Sequence, residues 1–234
     1  MKIAIIVAMQ KELALMHQLM EKYGSIQEID HEFLTAYEGK VGSNDVILMQ
    51  CGIGKVNAAL RTYALIETYH PDIVVNSGVA GGLDESMGIG SVLVADGVAY
   101  HDVWCGPGTE YGAADGCLQI LAPDANALQL MRGINAGQDC GWHFGLICSG
   151  DKFISTPDEV QEIKSHFPHG LACDMESAAI AQTCSMCGVP FMVVRVLSDR
   201  PGGGENISEY QNFWNEAPRL TFKAVASLVE NLHK

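Results

Sequence analysis

The sequence predicts an α/β protein organised as a single domain, and three observations carry that prediction. Residues 171–199, LACDMESAAIAQTCSMCGVPFMVVRVLSD, read as strand, helix and strand in immediate succession. Residues 2–8, KIAIIVA, form a second apolar, β-rich run that passes into a helical pattern. The chain has 234 residues, enough to bury about 70% of its unfolded surface in one core, and no repeat, low-complexity tract or linker divides it.

Composition narrows the function. Hydrophobic residues make up 48% and charged residues 18%, the balance of an ordinary globular protein. No apolar run approaches the length of a membrane-spanning helix. Residues 2–8 are too short for a signal-peptide core and lack a cleavage region, so they read as a buried first strand. A net charge of −14 argues against nucleic acid or an anionic membrane as partner. Eight cysteines without a secretion signal point to free thiols in a reducing cytoplasm. Cys184 and Cys187 match C-x-x-C, but at a helix end and with no second pair at metal spacing. The histidines form no H-E-x-x-H, so no metal site is expected.

In chain order, residues 2–8 should be the central strand and 10–22 a helix with Leu13, Leu15, Met16 and Met20 at helical spacing. Residues 33–38 and 45–50 flank Gly39-Lys40-Val41-Gly42 and read as an antiparallel hairpin. Cys51-Gly-Ile-Gly-Lys55 then leads into a helix to about residue 68. Its G-x-G-K lacks the spacing and the hydroxyl of a triphosphate loop. The glycines instead suit a close backbone approach to a ligand or neighbouring strand. Residues 72–76 form the next strand, and Ser77-Gly-Val-Ala-Gly-Gly82 reads as a turn, either plain or offering N–H groups to a bound molecule.

Residues 91–100 are a strand and 101–116 irregular, with Trp104 and Tyr111 as aromatics that could cover a ligand or an interface. A helix is expected over 124–135, a strand over 142–149, and a helix capped by Thr156 with Pro157 in first position. Within 171–199 the first strand spans 171–173 and the helix ends near 187, where Gly188 and Pro190 stop it. Residues 189–197 form a strand buried on both faces, carrying Arg195 and ending in Ser198-Asp199. Pro201-Gly-Gly-Gly204 suits a mobile loop, and 207–232 a closing helix with Phe213, Leu220, Phe222 and Leu228.

Ligands of open α/β sheets bind beyond the carboxyl ends of the strands. Glu12, Glu176 and Asp199 all follow such ends. A first-turn acid also caps a helix or complements its dipole, and Ser-Asp after a strand is a common turn, so each acid alone leaves both roles open. Three at the ends of separate β-runs form a constellation. Arg195, inside a buried strand, needs an anionic or strongly polar partner.

GIGKVNAA, NSGVAGG, SGDKFI, CDMESAAIA and VVRVLSD together resemble the signatures of the 5′-methylthioadenosine/S-adenosylhomocysteine nucleosidases, in the nucleoside phosphorylase-like superfamily. The match runs from Ala8-Met9 to the closing helix. It implies a three-layer α/β/α fold around a central twisted mixed sheet, a homodimer, a small nucleoside substrate and a place in methionine salvage. By the same resemblance Glu12 is the base that activates water, and Glu176 the acid that holds the ribose hydroxyls, supported by Arg195. Asp199 is the acid that protonates the departing adenine at N7, oriented by Ser198. Phe153 stacks on the base and the Ile154 backbone reads its edge. Met175 lies against the ribose, Val79-Ala80-Gly81 line the substrate, and Met9 and Tyr210 complete the binding set.

The chemistry agrees with that assignment. Cleavage of an N-glycosidic bond passes through an oxocarbenium-like sugar, which gains from carboxylate charge, a protonated leaving group and a positioned water. On this reading Asp199 is held protonated and Glu12 has a more ordinary pKa, with no metal or redox cofactor required. A phosphorolytic enzyme would need arginine forks for phosphate. The only arginines are Arg61, Arg132, Arg195, Arg200 and Arg219, so water is the expected nucleophile. Two stretches depart from the family pattern. The loop 101–111 puts Pro107 and Thr109 where aromatics are expected, and the loop after Asp199 carries Arg200-Pro201 and three glycines. The other readings are a futalosine-type or other purine-nucleoside hydrolase, and a non-catalytic nucleoside-binding module.

Overall fold

Along β1 (Lys2–Val7) the pleat sends Ala4 and Ile6 to one face and Ile3, Ile5 and Val7 to the other, and all five are buried. A strand apolar on both faces needs cover on both, which dictates the layers. The first face packs under α2 (Lys55–Tyr69) and α5 (Ser177–Cys187), through Ala58, Leu65, Ala178 and Ala181. The second packs under α1 (Gln10–Glu21), α3 (Ala125–Gln138) and α7 (Pro218–Asn231), through Leu13, Met16, Met131 and Leu228. The three-layer α/β/α arrangement therefore follows from the alternation within the central strand.

The computed structural model describes residues 1–31, 34–213 and 218–233. The remaining elements are β2 (Gln27–His31), β3 (Leu34–Val41), β4 (Asn44–Gln50), β5 (Ile73–Gly82), β6 (Val92–Tyr100), β7 (His143–Ser149), α4 (Pro157–His166), β8 (Gly170–Asp174), β9 (Phe191–Asp199) and α6 (Asn206–Phe213). The mixed sheet runs β2-β3-β4-β1-β5-β8-β7-β6-β9, and β9 returns to pair with β5. β1, β5 and β9 are mutually parallel neighbours in the order β1–β5–β9, whereas β9 meets β6 antiparallel. The residues that follow β1 and end β5 and β9 thus gather at one edge.

Several expectations shift. β5 extends through Ser77–Gly82, since these small residues pair with β9 as far as Gly81↔Asp199 rather than turning away. The hairpin turn is Gly42-Ser43, because Gly39, Lys40 and Val41 remain paired with β4. β2, with Ile29 as its one large apolar residue, went unread; an edge strand needs no hydrophobic alternation. On α1, Leu15 is half-buried and Leu19 takes the buried position. The closing helical region is described as α6 and α7 on either side of residues 214–217. Phe33, residues 214–217 and the Leu220 and Phe222 side chains lie outside the described residues.

Candidate active site

Beyond β1, Glu12 occupies the third position of α1 and is 5% exposed. Its Oε2 accepts from the Ala8 and Met9 N–H groups, each at 2.9 Å, and Oε1 accepts from the Val79 N–H at 3.1 Å. One carboxyl thus caps its own helix and crosses to β5. The crossing requires glycine at Gly78, where a Cβ would stand 2.7 Å from Glu12 Oε1. Burial raises the Glu12 pKa, opposed by the Arg195 charge and then the three N–H donors. Glu12 is thus displaced in the same direction as Asp199, because its carboxyl is almost wholly buried. Val79 still lines the cavity, but its N–H is taken by Glu12.

At the end of β8 the corner Asp174-Met175-Glu176 splits its two acids. Glu176, the residue before α5, accepts from the Gly54 N–H at 2.8 Å through Oε1. Its pKa is pushed up to about 7, by burial first and the Asp174 charge second. Asp174, the last residue of β8, turns the other way and binds Arg195, whose Nε and Nη2 lie 2.8 and 2.7 Å from Oδ2. Arg195 also donates to Asn76 Oδ1 and to Ser177 Oγ. At 2% exposure the guanidinium lies beneath the cavity wall. Arg195 makes no hydrogen bond to Glu176, so any support it gives that acid is electrostatic. The ion pair is with Asp174, and Arg195 acts on Glu176 and Glu12 through its charge alone. The requirement that a buried arginine have an anionic partner pointed here; which of two acids met it depended on side-chain direction.

Asp199 ends β9 at 2% exposure, and Ser198 Oγ donates to its Oδ1 at 2.6 Å. Burial pushes the Asp199 pKa up, against hydrogen bonds from Ser198 and Asn206, with the Glu209 charge adding a smaller push. Asn206, at the start of α6, also donates to the Ile154 carbonyl at 3.2 Å, so it bridges Ile154 and Asp199. Nothing in the local sequence signalled Asn206; α6 sets it there from across the site.

These groups share one cavity. Its lining includes Glu12, Glu176 and Asp199 together with Met9, Val79, Ala80, Gly81, Phe153, Ile154, Met175, Ser198 and Tyr210. Of the expected site residues only Arg195 is outside the lining. Ala8, Ile53, Lys152, Cys173, Asp174 and Pro201 join it without having been expected. Over the mouth, the Phe153 and Tyr210 rings meet edge-on at 5.8 Å, and the Tyr210 hydroxyl donates to Met9 Sδ at 3.3 Å. Phe153 is 44% exposed, leaving ring surface free for a planar base. Tyr111, read as an aromatic that could cover a ligand or an interface, stacks on His166 at 3.6 Å and donates to the His101 carbonyl rather than lining the cavity. Trp104 is exposed and does not line the cavity. The loop at Pro201 is seated rather than free-standing, with Pro201 packed against Gly81.

A half-open, largely apolar cavity with three acids of raised pKa and an aromatic rim suits acid–base chemistry on a flat heterocycle. Comparison with known proteins meets the same conclusion from another side. Residues 2–230 match the family model of the phosphorylase superfamily. The 5′-methylthioadenosine/S-adenosylhomocysteine nucleosidase of Staphylococcus epidermidis is 38% identical over 231 residues, spanning 98% of this chain and 100% of its own length. The S-adenosylhomocysteine nucleosidase of Streptococcus pyogenes, solved with 5-methylthiotubericidin, superposes with a TM-score of 0.93 at 33% identity, covering 100% of this chain and 98% of the other. The nucleosidase of S. pneumoniae, solved with the transition-state inhibitor MT-ImmA, gives 0.93 at 34% identity with full coverage of both chains. Full-length identity at this level, on the same fold, establishes that the chain belongs to the phosphorylase superfamily and, within it, to the 5′-methylthioadenosine/S-adenosylhomocysteine nucleosidases.

Proposed function

We infer that this protein hydrolyses the N-glycosidic bond of 5′-methylthioadenosine and S-adenosylhomocysteine, releasing adenine and the thioribose sugar. The observation that carries the reading is the meeting of Glu12, Glu176 and Asp199 in one cavity beneath Phe153 and Tyr210. The base stacks on Phe153, and Asp199, whose proton affinity burial raises, delivers a proton to N7 as the bond to the sugar breaks. Glu176 holds the ribose hydroxyls, and its carboxylate stabilises the positive charge that grows on the sugar. Glu12 takes a proton from the attacking water. Its raised pKa makes it a better proton acceptor than an exposed carboxylate would be. Arg195 and Asp174 form a fixed charge pair under the two glutamates.

Water as nucleophile is supported by the cations. Among the described residues no arginine lines the cavity, and Arg195 has its donors on Asp174, Asn76 and Ser177. Lys152 Nζ pairs with Glu159 at 2.6 Å. A phosphate dianion is left without a fork. The test is chromatography of methylthioadenosine incubated with the purified protein, with and without phosphate. Adenine and free methylthioribose should form at equal rates in both; a phosphate requirement with a sugar 1-phosphate product would overturn the reading.

A homodimer is supported by α2, where Val56, Leu60 and Tyr63 are 77%, 65% and 51% exposed at helical spacing. Ile53, at the head of that stripe, also lines the cavity, so a partner on this face would stand at its mouth. A monomeric mass in light scattering would remove this part of the proposal. Eight free cysteines support a cytoplasmic setting, and the methylthioadenosine substrate supports the expected place in methionine salvage.

A further inference from the structure

The donor that holds Glu176 is itself held by residues outside the cavity. Gly54 precedes α2 and has no side chain to cap it. The acceptor comes from a distant loop. Asp151 Oδ1, just after β7, accepts from the Lys55 N–H at 2.7 Å, one of the helix's orphan first-turn donors. A Cβ at Gly54 would stand 3.0 Å from the same Oδ1, so the cap is built directly against the residue that binds Glu176. The Asp151 N–H donates to Asp102 Oδ2 at 2.8 Å, and Lys55 Nζ reaches that oxygen at 2.8 Å. Three loops, after β4, β6 and β7, thus lock at one point.

We propose that Asp151 is a positioning residue for Glu176: by capping α2 from the loop after β7 it fixes the Gly54 N–H against the Glu176 carboxylate. This deepens the hydrolytic reading of the site and rests on it. Because the same loop continues into Phe153 and Ile154, the cap also ties the base side of the cavity to its ribose side. The other charged or titratable groups around Glu176 are Asp174 from β8, Arg195 from β9, Glu12 from α1 and Cys51 beyond β4. Among the described residues none of these four hydrogen-bonds Asp151, whose partners are the Lys55 N–H and Asp102.

The test compares Asp151→Ala with Asp151→Asn, which keeps an oxygen acceptor. A hydrogen bond to a charged group is of the size that moves a pKa by about one unit. In Asp151→Ala the acidic limb of kcat/KM should therefore move to higher pH. Activity should fall about tenfold at low pH and recover as pH rises, with Asp151→Asn close to wild type. The Gly54 amide resonance gives a readout independent of turnover. It should titrate with Glu176, at a higher midpoint in Asp151→Ala. An unchanged Gly54 midpoint, or an activity loss uniform across pH, would overturn the proposal. A shifted midpoint in a protein that releases no adenine would uphold the positioning role and defeat the hydrolytic reading instead.

Discussion

The floor and the rim of the cavity are built on different principles. The floor holds Glu12, Asp174, Glu176 and Asp199, with Arg195 beneath it, each on or within a few residues of a strand end and each at most 8% exposed. Asp174, Arg195 and Asp199 are held by strand pairing, and Glu12 and Glu176 by hydrogen bonds from backbone N–H groups. The rim holds Phe153, Tyr210 and Pro201, carried on loops or on α6. Phe153 keeps 44% of its surface open. On the proposed function, the chemistry falls to the floor and ligand fit to the rim.

If that division is right, a floor substitution should strike turnover. Asp199→Asn cannot donate the proton, and kcat should fall about 10²- to 10⁴-fold, the usual worth of general-acid catalysis. The melting temperature should hold or rise, since a buried ionisable group is replaced by a neutral one of equal size. Turnover near wild type in steady-state assays would break the comparison at its strongest point.

A rim substitution should strike binding. Phe153→Ala removes the stacking surface, worth about 1–3 kcal/mol for a base on an aromatic ring, and should raise KM with a smaller change in kcat. Tyr210→Phe keeps the ring and removes the hydrogen bond to Met9 Sδ, and should change KM by about threefold or less. Loss of kcat in Phe153→Ala equal to that of Asp199→Asn would mean the rim also acts in the transition state.

The smallest effect sharpens the electrostatics of the floor. The Glu176 pKa is about 7 in the folded protein against an ordinary 4.5. Between those values the folded state holds a proton that the unfolded chain has released. The stability tied to this group is therefore full below the ordinary value and is lost as pH rises through about 7. Glu176→Gln removes that loss, so thermal melts from acid to mildly alkaline pH should show its stability gaining on wild type. A difference constant with pH would mean that Glu176 is not shifted by burial.

Much of this was legible in the residues themselves. The apolar run of β1, the cap and proline opening α4, the glycine ending α5 and the three strand-end acids are statements about neighbours in sequence. Local periodicity and turn chemistry determine such features wherever the rest of the chain lies. The edge strand β2 and the paired state of Ser77–Gly82 were not legible. Neither has a local hydrophobic signal, and both exist because another strand lies alongside. The choice of Asp174 over Glu176 for Arg195 belongs to the same class. Two acids two residues apart are equivalent in sequence, but one ends a strand and the other precedes a helix, so they point to different partners. The sequence by itself determined which chemical groups the site contains. Only the tertiary structure decided their pairings and raised pKa values, because burial and side-chain direction arise when distant segments meet.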